Sequence, residues 1–584
     1  MEKRVLLAII LSFIVLYGYQ ALFPPKPPQR TAPPPTAAPS ATQQTPPAQA
    51  GTPTAQPEQA PEAAAPEPAA VVGDAEERDI RFENEAVSGV FSTRGAVLKS
   101  WRLKKYQDAS GRPLELVPQD VPPGTLRPFT LSVPDAGVTA TLRRALFKPD
   151  AADVQVRGGP ATLSFEYQDA AGLVASKTFV FSAENPYLLE FSAVVTRGGS
   201  ALVPTVEWGP ALGAGVAKSS GFVYNPPPQP IYSREGEVTR VGQNDIAEHA
   251  SVAGTMPFAG VDDHYFLSAA IAPGTPVTVK YAPVEVRAAE SAGTVARFVA
   301  WSATFPAAPS KVRFFFGPKD FDVLKSIDPH LTYAIDFGIF RWFVVPLHNA
   351  LKWVHGYAGN WGWSIIILTV IINLVMFPLR HKSVVSMRKM QELQPEVKAI
   401  QERYKHLKMS DPARSKQNTE LMNLYRERGV NPASGCVPML LTVPVLIAFY
   451  SMLSVAIELR GAPFVLWIRD LSTFDPLYIT PLLMGATQFI QTKMTPQTGA
   501  DPMQQKMMLL MPIVFTGMFL WMPSGLVLYW TASNLWTIGQ QVLTNRIIGP
   551  PPKPPRPPAE RRLKSAGSGK TGAAGKAEPS KERK

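Results

Sequence analysis

The chain has 584 residues, 58 Lys and Arg against 46 Asp and Glu, a formal net charge of +12 and one cysteine, Cys436. This length predicts several domains, and a single cysteine excludes an intramolecular disulfide and any zinc or iron–sulfur site built from cysteines. The seven histidines are scattered, and neither a P-loop nor a glycine-rich dinucleotide fingerprint occurs. We therefore expect no enzyme, no cofactor and no metal.

Residues 1–23 predict a transmembrane anchor. The uncharged run 5–23 would reach about 28 Å as a helix, close to the thickness of the hydrocarbon core. A cleaved signal peptide is the alternative, but no small-residue cleavage site precedes the prolines that follow. Lys3 and Arg4 favour a cytoplasmic N-terminus. Residues 24–77 then predict a Pro/Ala-rich linker, since 24–70 contains 15 prolines.

Residues 78–330 predict a large periplasmic β-sandwich. Short runs alternate apolar and polar residues, as in Leu163, Phe165 and Tyr167, and Gly and Pro separate the runs. Asp262-Asp263-His264 is the one sequence here that suggests a metal cluster. Acidic turn residues are common and no second cluster supports that interpretation, so we favour a turn.

Residues 331–355 predict an interfacial amphipathic helix rather than a span. This apolar segment also contains Asp336, Arg341 and Lys352, and each such charge costs about 2.5–3.5 kcal/mol at the centre of a bilayer on insertion scales. At the membrane–water interface the cost is small, and Trp342 and Trp353 suit that depth.

Residues 356–546 predict a five-helix membrane core. Its approximate spans are 361–379, 437–457, 475–491, 507–522 and 524–544. With the anchor they make six transmembrane helices. That number places both basic segments in the cytoplasm, as the positive-inside rule requires: 380–428 has 12 basic and 6 acidic residues, and 546–584 has 11 and 3. The sequence therefore predicts a multi-domain membrane protein with both termini cytoplasmic and residues 24–355 on the periplasmic side.

The two basic segments differ in pattern. Residues 381–430 predict a cytoplasmic helical hairpin, two helices joined at 409–411, and a solvated connector is the alternative. Residues 547–584 predict a basic disordered tail. Its charge suits ribosomal RNA, although it also serves as an orientation signal or binds anionic lipid.

The predicted spans carry uncharged polar residues and no central charge. Thr369, Asn373 and Met376 share one helical face, and the last span presents Trp530, Asn534 and Thr537 on another. Hydrogen bonds between helices are the interpretation that these residues alone favour. A hydrophilic groove open to the cytoplasm is the alternative. Fifteen of 17 Met residues lie between 376 and 522. Four of them are candidates for a surface along which the apolar segments of a substrate slide: Met439, Met452, Met508 and Met511. Methionines that simply face lipid are an equally consistent interpretation.

Several sequence blocks, in one order, resemble the YidC family of membrane-protein insertases from Gram-negative inner membranes. They are GNWGWSIII (359–367), MFPL (376–379), VNPASGCVPMLLTVPVLIAFYSML (430–453), ELRGAPFVLWIRDLSTFDPLYI (458–479), DPMQQKMM (501–508), WMPSGLVLYW (521–530) and SNLWTIGQQ (533–541). The resemblance is sharp over about 330–547 and weaker in the β-domain.

The resemblance implies a membrane protein insertase and chaperone, which works alone or with the Sec translocon and hydrolyses no nucleotide. Its substrates are nascent membrane proteins, which enter a groove open to cytoplasm and lipid. The family places an arginine in that groove where this chain has Asn373, and a tyrosine where it has Trp530. We therefore expect a groove without a formal charge. The basic hairpin and tail are the candidate ribosome contacts.

Two other functions remain open from the residues. A small-solute channel would usually show internal repeat symmetry, and no repeated pair of spans is evident. An envelope scaffold would use the β-domain to bind partners and the helices only as an anchor.

Overall fold

The computed structural model describes residues 69–549 apart from residues 109, 120, 123 and 273 and the segments 213–225, 288–294, 405–412, 431–436 and 496–501. The predicted anchor (1–23), most of the predicted linker and the tail from residue 550 lie outside the described residues. The strand Ala70–Val72 falls inside the linker predicted over 24–77 and pairs with a strand at Gln168–Asp169. The sheet domain therefore begins earlier than the composition indicates.

The described residues from Ala70 to Pro318 form 21 strands. In chain order these are β1 (Ala70–Val72), β2 (Asp79–Glu83), β3 (Val87–Ser92), β4 (Val97–Gln107), β5 (Pro113–Glu115), β6 (Thr130–Ser132), β7 (Lys148–Pro149), β8 (Asp153–Gln155), β9 (Ala161–Asp169), β10 (Leu173–Phe181), β11 (Leu188–Arg197), β12 (Ser200–Leu202), β13 (Thr205–Ala211), β14 (Gln229–Arg234), β15 (Glu237–Arg240), β16 (Ser251–Thr255), β17 (Phe258–Asp262), β18 (Phe266–Ile271), β19 (Pro276–Arg287), β20 (Val295–Thr304) and β21 (Val312–Pro318).

The strands form three sheets. An 11-stranded sheet runs β1-β9-β10-β11-β21-β18-β17-β14-β15, with β12 beside β11 and β7 beside β9. The two five-stranded sheets run β16-β19-β20-β13-β6 and β5-β4-β3-β2-β8. Pairing is antiparallel except between β2 and β8. The predicted sheet-rich domain is confirmed, but it contains three sheets and one parallel pair rather than a simple antiparallel sandwich.

Aromatic rings join the small sheets to the large one. Phe82 of β2 stacks on Phe181 of β10 with ring centroids 3.9 Å apart, and Trp208 of β13 stacks on Phe314 of β21 at 5.5 Å. The large sheet supplies such rings because its strands alternate. In β10 every second side chain from Leu173 to Phe181 is buried. The core therefore lies between the small sheets and the large one.

The described helices are α1 (Ala136–Arg144), α2 (Phe321–Ile327), α3 (Arg341–Ala358), α4 (Trp361–Glu392), α5 (Gln394–Arg403), α6 (Ala413–Glu427), α7 (Val437–Val455), α8 (Ile479–Met494), α9 (Pro502–Phe519) and α10 (Ser524–Ile548). Among the described residues, α4 is the one helix long and apolar enough to cross a membrane, and 443–455 and 509–519 are shorter apolar helices. The six-span topology stays a prediction.

Capping residues explain where the helix bounds depart from the prediction. The predicted amphipathic segment 331–355 becomes a 3-10 turn at Pro329–Ala334 followed by α3, which ends at Gly359 in the left-handed region (φ 63°). The span predicted from residue 475 begins at Ile479, because the Asp475 carboxylate accepts hydrogen bonds from the Thr480 backbone N–H and hydroxyl and so holds the preceding turn.

The charged segment 381–430 contains parts of three helices instead of the predicted two. Helix α4 continues through Pro378 to Glu392, and α5 and α6 then follow. The last two lie antiparallel, since Arg428 pairs with Glu396 at 2.8 Å and Tyr404 donates to Glu420 at 2.8 Å. The predicted join at 409–411 lies outside the described residues.

The sequence Asp262-Asp263-His264 joins the sheet domain to the helices. Asp262 pairs with Arg240 at 3.0 Å and Lys319 at 3.1 Å, and Asp263 accepts two backbone N–H bonds in a turn. The His264 Nε2 donates to the backbone oxygen of Ser454 at the end of α7, at 2.7 Å. These partners account for the motif, and among the described residues no group of three His, Cys, Asp or Glu could hold a metal ion.

Candidate functional site

A narrow pocket lies where α4, α7 and α10 meet. Its lining combines polar and apolar side chains from the three helices: Thr369, Ile372, Asn373, Met376 and Arg380 of α4, Val445 and Phe449 of α7, and Tyr529 and Ser533 of α10. The cavity of about 10 Å³ has room for about one water molecule. Side chains fill most of the space, so a polypeptide segment can enter only if some of them move.

The polar groups of α4 form a chain of hydrogen bonds along one helical face. The Thr369 hydroxyl donates to the Ile365 carbonyl at 2.6 Å, and the Asn373 amide donates to the Thr369 carbonyl at 2.8 Å. Arg380 then donates from Nη1 to the Asn373 side-chain oxygen at 2.7 Å. Thr369 and Asn373 are almost fully buried. Asn373 therefore acts as the acceptor that holds a guanidinium in the pocket.

Arg380 overturns the expectation of a groove without formal charge. The sequence assigns this arginine to the loop after the predicted span 361–379. Because α4 does not end at residue 379, Arg380 stays helical and follows Asn373 by seven residues, which is two turns and the same face. Its Nη1 also lies 3.5 Å from the Thr537 hydroxyl of α10. The seven-residue spacing from Asn373 is the signal in the sequence that could place Arg380 on this face, but Pro378 favours a helix end at this point.

The pocket-facing side of α10 is turned by one residue from the predicted one. Tyr529, Ser533 and Thr537, spaced by four, face α4, and the Tyr529 ring stacks on Phe449 of α7 with centroids 4.3 Å apart. Trp530 lies one residue on, which is about 100° around the helix. Tyr529 is therefore the aromatic residue of α10 that lines the pocket.

Trp530 and Asn534 belong to a second polar contact, between α10 and α8. The Trp530 indole N–H donates to Gln488 Oε1 at 3.1 Å, and the Asn534 amide donates to the Thr487 hydroxyl at 3.2 Å. The Trp530 ring also packs against Phe519 of α9. The predicted set thus divides. Thr369, Asn373 and Met376 line the pocket and Thr537 borders it through Arg380, whereas Trp530 and Asn534 face other helices.

The four methionines predicted to form a sliding surface do not all lie at a surface. Met452 is fully buried in the hydrophobic core and does not lie on a surface along which a substrate could slide. Met511 is 43% exposed on α9. The side chains of Met439 and Met508 lie outside the described residues. Of the four, Met511 alone is described at a surface.

Two family models match the chain. "YidC periplasmic domain" matches residues 79–350, and "60Kd inner membrane protein" matches residues 353–550. A "Membrane protein insertase YidC" from Geobacter metallireducens is 38% identical over 94% of this chain and 99% of its own length. The protein of that name from Geobacter sulfurreducens is 39% identical over the same shares.

A solved structure also matches. It is described as an active YidC insertase with its first transmembrane domain resolved, and the match covers 80% of this chain and 93% of that one, at 18% identity and a TM-score of 0.33. The two curated relatives, which match nearly their whole lengths, are the stronger comparison.

Proposed function

The chain belongs to the YidC family of membrane protein insertases, proteins of the inner membrane that are not enzymes, and from this premise we propose that the pocket between α4, α7 and α10 receives the hydrophilic part of an incoming membrane protein. The observation that carries the proposal is the guanidinium of Arg380, held at an otherwise uncharged pocket by Asn373.

Partitioning supplies the driving force in this proposal. A polar group entering lipid without a partner costs several kcal/mol. A pocket that offers hydrogen bonds part-way across the bilayer lowers this cost for the leading polar segment. The apolar segment that follows can then move sideways into lipid, past the exposed apolar side chains of α8 and α9, such as Leu482 and Ile513. No nucleotide is needed.

Arg380 gives the pocket a preference for acidic segments. A carboxylate of the substrate can replace the Asn373 oxygen as its acceptor, and hydrogen bonds to charged groups are worth about 1.5–3 kcal/mol. This exchange also frees space, because the guanidinium must leave its present position when a substrate enters. The charge expected from the family at position 373 is thus supplied from two turns further along α4.

Crosslinking tests the pocket directly. A photo-crosslinking amino acid at Ser533, which lines the pocket, should capture a stalled nascent membrane protein. The same group at Leu535, which is 54% exposed on another face of α10, should capture lipid. Reconstituted vesicles without Sec components, scored by protease protection of one small substrate, measure insertion itself. Capture at Leu535 but not Ser533 would place the substrate path elsewhere.

The proposal extends to orientation and partners. Both basic segments, 380–428 and 546–584, support a cytoplasmic C-terminus by the positive-inside rule. We include the ribosome, through residues 381–430 and 547–584, and the Sec translocon as partners. Removing 550–584 should reduce co-sedimentation with ribosomes at low salt, and the difference should fade as salt rises. Unchanged co-sedimentation would assign the tail to orientation alone.

A further inference from the structure

An apolar cleft of about 300 Å³ separates the end of α3 from the first half of α4. Four side chains of α3 and two of α4 line it: Trp353, Val354, Tyr357, Ala358, Ile367 and Ile371. The lining contains no charged side chain. We propose that this cleft binds one acyl chain of a phospholipid from the leaflet next to the sheet domain.

The cleft is large enough for an acyl chain. About 10–15 Å³ of cavity holds one water molecule, and a methylene group is of similar size, so the cleft of about 300 Å³ holds on the order of 20–30 methylene groups. One acyl chain of a phospholipid therefore fits in it.

The cleft is continuous with the lipid-facing surface of α4. Ile367, Ile371 and Val375 are spaced by four residues and share one face of this membrane-spanning helix, and all three are exposed. Ile371 follows Trp361, the first residue of α4, by ten residues, or about 15 Å. That distance is about half of the hydrocarbon thickness. The cleft therefore reaches as deep as one leaflet.

Aromatic residues mark the opening of the cleft. Trp353 is 62% exposed and Tyr357 is 78% exposed, and their rings meet edge to face with centroids 5.0 Å apart. Such amphipathic rings are enriched at the membrane–water interface. An empty cleft would leave its lining atoms without dispersion contacts on one side, and an acyl chain restores them.

The basic side chains of α3 that are next to the cleft lining in sequence, Lys352 and His355, give no basis for headgroup selection. The ammonium of Lys352 pairs with Asp322 of α2, and the His355 ring stacks on Trp361 with centroids 3.7 Å apart. The bound lipid is therefore selected through its acyl chain. Phosphatidylethanolamine and phosphatidylglycerol should occupy the cleft equally.

A photoreactive lipid tests the proposal in the full-length protein. Vesicles of either headgroup would carry a phospholipid with a diazirine near the end of one acyl chain, and labelled peptides would be identified by mass spectrometry. The peptide with Ile367 and Ile371 should carry severalfold more label than the peptide with Ile513 and Val514 of α9, although these two are more exposed. Equal labelling of both peptides means that only the ordinary lipid shell is present, and the proposal fails.

Variants that fill the cleft distinguish lipid bound in it from lipid on the surrounding surface. Ala358→Phe and Ile371→Trp should each reduce the label in the cleft severalfold. Val375→Phe, on the same stripe but outside the cleft lining, should leave it unchanged. Two variants guard against one failing to fold. Undiminished label in both filled variants overturns the proposal, as does a photo-crosslinker at Ile371 that captures a protein instead of lipid in native membranes.

Discussion

Replacing Arg380 with glutamine should impair insertion of substrates with acidic translocated segments, and spare neutral ones. Glutamine keeps a hydrogen-bond donor for Asn373 but removes the charge. A charge-assisted hydrogen bond contributes about 1.5–3 kcal/mol, and each 1.4 kcal/mol is a factor of ten. The rate of insertion should thus fall by about 10- to 150-fold for an acidic substrate, with much smaller loss for its Asp→Asn or Glu→Gln counterpart.

The assay compares the paired substrates in vesicles containing purified protein, with protease protection measured over time. Arg380→Lys keeps the charge and should retain most activity toward the acidic substrate. Arg388→Gln is the matched control. Arg388 lies on the same helix and is buried, but it donates to Asn545 and the Gly549 carbonyl, outside the pocket. Its replacement should not distinguish acidic from neutral substrates.

An exchange of the two residues tests whether position or charge matters. Asn373→Arg alone places two guanidinium groups in one pocket and removes the acceptor for Arg380, so insertion should fall. The double variant Asn373→Arg/Arg380→Asn restores one charge and one amide and should recover the preference for acidic substrates. The reasoning is refuted if Arg380→Gln affects both substrates equally or neither.

The remaining predictions concern stability. Gly485→Ala should lower the free energy of unfolding by about 1–3 kcal/mol, because the added Cβ would lie 2.0 Å from the Thr516 hydroxyl of α9. In Gly517→Ala the added Cβ meets open space, so this control should not be destabilised. Resistance to a denaturing detergent measures both effects. Burial alone would raise the pKa of Glu458, but the hydrogen bond and charge of His348 outweigh it, so this pKa lies below its usual 4.5. The stabilisation by Glu458 is complete above pH 4.5 and is lost as the pH falls through the folded pKa. Thermal melting from pH 7 down to about pH 3 covers the range in which this loss occurs, and should show it in the parent chain and not in Glu458→Gln.

Local pattern accounts for much of the fold. The alternation of β10 follows from the period of a strand, and the stops of α3 and of α6 follow from glycines at 359 and 429. The predicted linker, 24–77, extends past the start of the sheet domain, because composition averages over many residues. The three-residue strand Ala70–Val72 is stabilised by its partner β9 and not by its own sequence.

The pocket shows where local pattern stops being sufficient. The sequence identified α4 and α10 as helices with polar faces, and the structure places Thr369, Asn373 and Met376 in the lining of one pocket. It could not decide which side of α10 meets α4, because Tyr529 and Trp530 are both amphipathic aromatics one position apart. Packing against α7 and α8 makes that choice, since Tyr529 stacks on Phe449 and Trp530 bonds to Gln488.

The sequence by itself determined the family, the sheet-rich domain, the helical character of the C-terminal region and the concentration of positive charge in two segments. Family, strands and helices follow from residue identity and spacing along the chain, which a single sequence contains in full. The tertiary structure alone decided that one charge from the basic segment, Arg380, belongs to the pocket. A contact between two side chains seven positions apart on a helix requires that the helix continue past both of them. It also depends on which other elements pack around the helix. Both conditions are set by packing between elements that are distant in the sequence.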